Sequence, residues 1–211
     1  MKTHPALRFA TPLVQAALVT AACLPPSLTA GIFYDENSGG DLSGIAVSPT
    51  SGGSLIVGDN TLSGSTLSGD VDYLTFTVPT GAALTSMTLT SFASTDDVAF
   101  LGITSGTIGG TAGGGAGSLL GYSHFGTGGL AGTALVGTDI LDEIGAGPGS
   151  QGFTPPLAAG TYTLWIQQTQ GDPVSYAFNL TAVPEPGETA FAVGLLLGGT
   201  AWVRRLRKRT A

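Results

Sequence analysis

Four aspartates at two candidate turns are the residues best suited to chemistry in this chain. Asp70 and Asp72 stand two positions apart at the start of a β-rich run, so both carboxylates face the same side of a strand. Asp96 and Asp97 lie together at a following turn. Calcium takes about six to eight oxygen ligands and needs neither His nor Cys, so a sandwich that brings these turns together would create a calcium site. The competing interpretation is that all four are solvated turn residues, because Asp favours turns.

Groups that catalyse reactions are mostly missing from the sequence. No Lys or Arg occurs between residues 9 and 203, so no fixed cation is present there to hold a phosphate or polarise a carbonyl. His124 is the sole histidine after the N-terminal segment, which excludes a site with several His ligands. Its neighbour Ser123 points to the opposite face of a strand and cannot form a dyad with it. We therefore predict no enzymatic activity, and the remaining rival is a glycan-cleaving carboxylate pair that includes Asp142 or Glu143.

The charges are strongly divided along the chain. All seven basic residues lie at the two ends, and 12 of the 14 acids lie between Asp35 and Asp172. This central stretch repels nucleic acid and attracts cations. A nucleic-acid binder is excluded because phosphate binding needs Lys and Arg. Charged residues are 10% and hydrophobic residues 42% of the sequence, so a disordered chain expanded by its own charge is excluded as well.

The N-terminal segment, residues 1–30, has the layout of a secretory signal peptide. Two basic residues precede an apolar helical run over 13–24, and Pro25-Pro26 ends that run before a cleavage site near Ala30. The segment predicts export through the Sec translocon and removal by signal peptidase. Two alternatives remain: a lipidated N-terminus at Cys23, the only cysteine, and a helix buried in the core.

The C-terminal segment, residues 183–211, has three consecutive parts. The first is Val183-Pro184-Glu185-Pro186, and the second is an uncharged apolar stretch over 190–203. The third is a basic cluster made of Arg204, Arg205, Arg207, Lys208 and Arg209. Fourteen helical residues span about 21 Å, which is a short transmembrane helix that the arginine stems can extend. Positive charge beyond it places the C-terminus in the cytoplasm and the body outside, in agreement with the signal peptide.

These three parts resemble the PEP-CTERM sorting signal of Gram-negative bacteria, a tail that some naming schemes label an ice-binding protein C-terminal domain. The resemblance covers residues 183–211. It implies that exosortase, a membrane-embedded processing enzyme, recognises the Pro-Glu-Pro motif in an inner-membrane intermediate. The product would then reach the cell surface or the medium, where the family is associated with exopolysaccharide and biofilm. The alternative is an ordinary single-pass anchor that follows a Pro-rich linker.

The body, residues 31–182, alternates apolar and polar residues with the period of two that is typical of strands. We predict an all-β fold, a two-sheet antiparallel β-sandwich, with a hairpin at the turn 170–173. The predicted strands are 42–47, 54–57, 71–78, 84–92, 98–103, 134–140, 161–168 and 174–182.

A glycine-rich stretch interrupts this pattern between about residues 102 and 152. It holds 18 of the 34 glycines and is predicted to be an insertion at one end of the sandwich. A weakly ordered linker between strands explains it more simply than a binding loop, because glycine carries no recognition chemistry and is costly to order. Its only aromatic patch is the run 121–126.

Three further runs are similar to the bacterial pre-peptidase C-terminal (PPC) domain: 70–81, 96–101 and 157–164. The resemblance covers most of 62–182 and implies a jelly-roll-like sandwich. Some members of that family bind calcium, polysaccharide or protein fibres. Together the resemblances imply a non-catalytic surface or matrix protein, possible partners being extracellular polysaccharide and calcium. The alternatives are a calcium-binding adhesion module and a secreted glycan-active enzyme.

Overall fold

The computed structural model describes residues 31–110, 114–128, 130 and 132–185. Within these ranges lie two short helices, α1 (Glu36–Gly39) and α2 (Leu141–Gly145), and a 3-10 turn at Ala116–Ser118. The strands are β1 (Gly31–Asp35), β2 (Thr50–Ser54), β3 (Gly58–Thr66), β4 (Val71–Val78), β5 (Ala82–Ala93), β6 (Val98–Ser105), β7 (Gly121–Gly126), β8 (Ala134–Leu135), β9 (Gly160–Gln168) and β10 (Val174–Pro184).

The strands form two sheets, which confirms the all-β prediction. One sheet has four strands in the order β1-β3-β10-β5, and the other has six in the order β2-β4-β9-β6-β7-β8. Both sheets are mixed rather than purely antiparallel, because β1 pairs parallel to β3, β2 to β4 and β8 to β7. The three parallel pairs add short strands at the sheet edges to antiparallel central strands.

Side chains from both sheets meet in one core, as the period-two pattern predicts. On β4, Leu74, Phe76 and Val78 are buried, whereas Thr75 and Thr77 between them are partly exposed. Opposite them, the aromatic rings of the core pack edge to face, as between Phe125 and Phe178 with ring centroids 5.0 Å apart. This contact joins β7 of one sheet to β10 of the other, and such pairs stabilise beyond the area they bury.

The predicted hairpin at 170–173 is wrong. The turn instead carries the chain from β9 in the six-stranded sheet to β10 in the four-stranded sheet, and these two strands do not pair. Each strand presents one apolar face to the shared core, so the crossing keeps both faces buried. The predicted strands at 42–47 and 54–57 are wrong as well, since the first contains a single bridge, from Ser43 to Tyr73, and only Ser54 of the second lies in a strand. Of the predicted strand 134–140, only Ala134–Leu135 forms one.

The glycine-rich stretch supplies structure rather than a plain linker. It contains the end of β6, then β7, β8 and α2, and it buries Ile140, Leu141 and Ile144 completely. Gly121 shows why glycine is needed there, because a Cβ at this position would lie 2.2 Å from the carbonyl oxygen of Ile144. Bare backbone lets β7 and α2 approach each other closely.

The last strand extends into the predicted sorting tail. Val183 and Pro184 pair with Ala83 and Ala82 of β5, and the N–H of Glu185 donates to the carbonyl of Gly81 over 2.8 Å. The sandwich therefore reaches three residues beyond 182, the predicted end of the body. Among the residues that the structure describes, no helix has both the length and the apolar character needed to cross a membrane. The predicted signal helix, membrane helix, basic cluster and Pro186 lie outside these residues.

Candidate cation site

The N-terminal segment of the body, residues 31–41, folds back over the start of β4 and β10. After β1, Asp35 caps α1 by accepting a hydrogen bond from the N–H of Asn37 over 3.1 Å. The next residue, Glu36, reaches β3, where its Oε2 accepts from the N–H of Ser65 over 2.6 Å. A short acidic segment is thereby held against the sandwich by its own cap and by one backbone amide.

Three carboxylates converge at this place. Glu36, Asp41 and Asp72 each contribute one oxygen, and these oxygens all lie within 4.8 Å of one another. Asp72 is completely buried at 0% exposure, Glu36 is half-buried and Asp41 is exposed. The cluster therefore has a closed inner side at β4 and an open outer side at the loop that follows α1.

Tyr176 on β10 fixes the innermost carboxylate. Its hydroxyl donates to Oδ2 of Asp72 over 2.9 Å. Gly64 on β3 leaves the room that this arrangement needs, since a Cβ there would lie 2.6 Å from the Tyr176 hydroxyl and 2.9 Å from Oε1 of Glu36. The site is thus formed by residues of both sheets and of the N-terminal segment of the body.

Electrostatics make this cluster costly in its fully ionised form. Burial, reinforced by the charge of Glu36, raises the pKa of Asp72 to about 8, although the Tyr176 hydrogen bond opposes this. Burial also raises the pKa of Glu36 and that of nearby Asp70, to which Asp41 adds repulsion. With no Lys or Arg between residues 9 and 203, the cluster can be neutralised by protons or by a bound cation.

The structure distributes the four sequence-predicted calcium ligands over two places. Asp72 joins the carboxylate cluster, and Asp70 lies beside it at the start of β4. Asp96 and Asp97 precede β6, which β9 separates from β4, so the two turns are about 10 Å apart across the sheet. Asp96 accepts hydrogen bonds from the Gln168 side chain (2.7 Å) and the Asp172 N–H (2.6 Å), and Asp97 accepts one from Thr127 (3.2 Å).

The sequence alone did not identify Glu36 or Asp41 as cation ligands. Both lie in the run Tyr34 to Asp41, in which four acidic or amide residues and two glycines occupy eight positions. That density of oxygen-bearing side chains and turn-forming residues is typical of a cation-binding turn. It could not show that Asp72 completes the site, because Asp72 is 31 residues further along the chain than Asp41.

A cavity lies beside the aromatic run of β7. It measures about 410 Å³, and Tyr122, His124 and Glu143 are among its lining residues. Burial lowers the pKa of His124, so its ring is neutral at pH 7. Glu143 lines this cavity, but Asp142, the other candidate of the glycan-cleaving alternative, does not, and both are exposed on α2.

The strongest chemical feature of the described residues is therefore the carboxylate cluster, which is built from three elements and lacks a counter-charge. Comparisons of the chain with known protein families, with curated proteins and with solved structures find no match.

Proposed function

We propose that the chain is an exported, non-catalytic β-sandwich that is sorted to the cell surface or the extracellular matrix. In this proposal Sec and signal peptidase act on residues 1–30, and exosortase acts on the tail from Val183 onward. The observation that carries the proposal is the agreement of two independent segments, since the signal layout and the terminal basic cluster give the same topology. Exopolysaccharide is the proposed surrounding matrix, and a jelly-roll-like arrangement of the two sheets belongs to the same proposal.

The end of β10 bears on how the tail would be processed. Val183 and Pro184 are held in the four-stranded sheet, and Glu185 is tied to Gly81. A processing enzyme that needs an extended substrate would therefore meet the motif at the rim of a folded domain. This supports cleavage on the tail side of Glu185, which leaves the last strand intact.

Mass analysis of the protein from the medium and the surface of its own host tests this proposal. We expect a species that begins near Gly31 and ends near Pro186, because both end segments are removed. Changing Glu185 and Pro186 together to Ala should retain the tail. The matched control Glu188→Ala removes the same charge just beyond the motif and should be processed normally. A wild-type product that still carries the basic cluster would mean a plain anchor and would refute sorting.

A calcium-binding adhesion module is the second candidate function, and the carboxylate cluster favours it. The central stretch carries 12 acids and no fixed positive charge, so its copies repel one another unless cations intervene. Sedimentation velocity of the protein released by its host should then show larger species in calcium, and the monomer again after chelation. Magnesium at equal ionic strength is the control, since it screens charge equally. An unchanged sedimentation coefficient in calcium would exclude self-association through the ion.

A further inference from the structure

We propose that Glu36, Asp41 and Asp72 bind one divalent cation, with calcium preferred, which ties the N-terminal segment of the body to the sandwich. This site differs from the one expected from the sequence, because two of its three ligands come from residues 36–41. The proposal concerns the folded body alone and does not depend on the sorting route.

Unpartnered buried oxygens point to a ligand here. Oδ1 of Asp72 and Oε1 of Glu36 are both inaccessible to solvent, and neither has a hydrogen-bond partner among the described residues. Tyr176 donates to the other oxygen of Asp72, and Ser65 donates to the other oxygen of Glu36. A buried carboxylate oxygen without a partner is costly, and a cation bound in the cluster would satisfy both.

Charge leads to the same conclusion independently. Three carboxylate oxygens within 4.8 Å of one another repel strongly, and the sequence offers no basic side chain between residues 9 and 203 to compensate. A single proton neutralises one carboxylate and leaves two facing each other. A dication neutralises two charges and attracts the third carboxylate as well.

The ligand type favours calcium over the other common divalent ions. Calcium binds oxygen at about 2.3–2.6 Å, so oxygens on opposite sides of the ion are about 5 Å apart. The three oxygens all lie within 4.8 Å of one another, which is compatible with one calcium ion between them. Magnesium demands a nearly ideal octahedral shell and gives up its waters reluctantly, so a site with only three carboxylates suits it less well. Zinc prefers nitrogen and sulfur ligands, which the cluster lacks.

The ligands come from two separate parts of the chain that strand pairing brings together, since β1 pairs with β3 and Ser43 bridges to Tyr73 beside Asp72. Glu36 lies on α1 and Asp41 in the loop after it, whereas Asp72 lies on β4 in the six-stranded sheet. Tyr176, on β10 of the other sheet, holds Asp72 from the inner side. The open side at Asp41 leaves space for water to complete the coordination shell. One ion would therefore add a link between residues 36–41 and β4 of the six-stranded sheet.

Calorimetric titration of the chelator-treated full-length protein with calcium chloride, in mild detergent, tests the site. We expect one site per chain, with a dissociation constant in the range of extracellular calcium modules, about 10⁻⁴–10⁻³ M or tighter. At 100-fold excess over that constant, the melting temperature should rise by about 5–10 °C. Magnesium should bind at least tenfold more weakly.

Variants separate this site from the alternatives. Asp72→Asn and Glu36→Gln should abolish the heat of binding and the rise in melting temperature, whereas the matched control Asp97→Asn should keep both. Asp41→Asn removes an exposed charge that repels the other two carboxylates, so it should not lower the cation-free melting temperature, and it should still weaken calcium binding at least tenfold. Absence of binding at 10 mM calcium, or equal loss of binding in Asp97→Asn and Asp72→Asn, would overturn the proposal, as would magnesium binding as tight as calcium.

Discussion

In cation-free buffer the protein is expected to melt at a progressively lower temperature as the pH rises from 6.5 to 9. The cause is Asp72, which burial and the neighbouring Glu36 keep protonated in the folded state, with a pKa of about 8. In the unfolded chain the same carboxyl has an ordinary pKa of about 3.9. The folded state therefore binds one proton more than the unfolded state between these two values.

The sign of the effect follows from proton linkage. Stability falls with rising pH wherever the folded state binds more protons. The contribution of Asp72 is fully present below about pH 4 and is lost as the pH rises through about 8. Each pH unit in this range costs about 1.4 kcal/mol, and the slope flattens above the folded pKa. From pH 6.5 to 9 the loss is about 2 kcal/mol, or about 4–8 °C in melting temperature.

The chosen pH window isolates the carboxylate cluster. Burial lowers the pKa of His124, so that residue raises stability with pH only up to about 6.5. Burial raises the pKa of Tyr73 and Tyr162, so these tyrosines matter only above about pH 10. Glu36, with its own raised pKa, acts in the same direction as Asp72.

Thermal melts in chelator at several pH values check this prediction, and Asp72→Asn is the informative variant. Asparagine can still accept the Tyr176 hydrogen bond but cannot ionise, so its melting temperature should be nearly constant from pH 6.5 to 9. At pH 9 it should exceed that of the wild type. Asp97→Asn, the control, should follow the wild type. A flat wild-type profile, or the same slope in Asp72→Asn, would contradict the prediction.

Excess calcium should offset this trend in the wild type. The ion binds the deprotonated carboxylates, so its affinity increases as the pH rises towards the pKa of Asp72. The stabilisation by calcium should therefore be larger at pH 8.5 than at pH 6.5. This dependence distinguishes an ion held by Asp72 from one that binds exposed acids with ordinary pKa values.

Local alternation was enough to predict most central strands. From Leu74 to Val78 and from Val174 to Ala182, core-facing apolar residues alternate with mostly polar ones, and in the structure these apolar residues are buried. Which strands pair with one another could not be predicted in the same way. The residues of the turn 170–173 are typical of a hairpin. Whether the turn joins two paired strands or crosses between sheets depends on the pairing of β9 with β4 and of β10 with β3 and β5, which are far away in sequence.

Only one side of the candidate site could be predicted from the sequence, because the other side depends on which strands pair. The Asp70 and Asp72 spacing at a strand start marked one side of it. The other side depends on the parallel pairing of β1 with β3, which carries α1 and Glu36 to Ser65 and thus towards Asp72. Parallel edge pairs leave little local signal, because the residues they join are not linked by a short turn.

Replacing Gly121 with Ala is expected to destabilise the protein by about 3 kcal/mol, which would lower its melting temperature by about 6–12 °C. The new Cβ would lie 2.2 Å from the carbonyl oxygen and 2.8 Å from the carbonyl carbon of Ile144. Real carbon atoms do not approach backbone so closely, and backbone cannot rotate away as a side chain can. Strand β7 and helix α2 would have to separate by about an ångström, which is the kind of strain that overpacking produces.

The separation would also disturb the core, because α2 buries Leu141 and Ile144 completely. Gly115→Ala is the matched control in the same glycine-rich stretch. Gly115 has φ −58° and ψ 156°, which alanine adopts freely, and a Cβ there would contact nothing within 4 Å. Its replacement should leave stability unchanged or raise it by up to about 1 kcal/mol, since alanine restricts the unfolded chain.

Chemical denaturation of both variants and the wild type, at pH 7 in chelator, measures the two effects together. A large loss at Gly121 beside no loss at Gly115 is the result expected if the glycine-rich stretch is a packed part of the sandwich, with glycines placed where backbones touch. A weakly ordered linker would instead tolerate alanine equally at both positions, because a mobile chain can relax around one methyl group. Equal tolerance would therefore restore the linker interpretation and would remove α2 from the core.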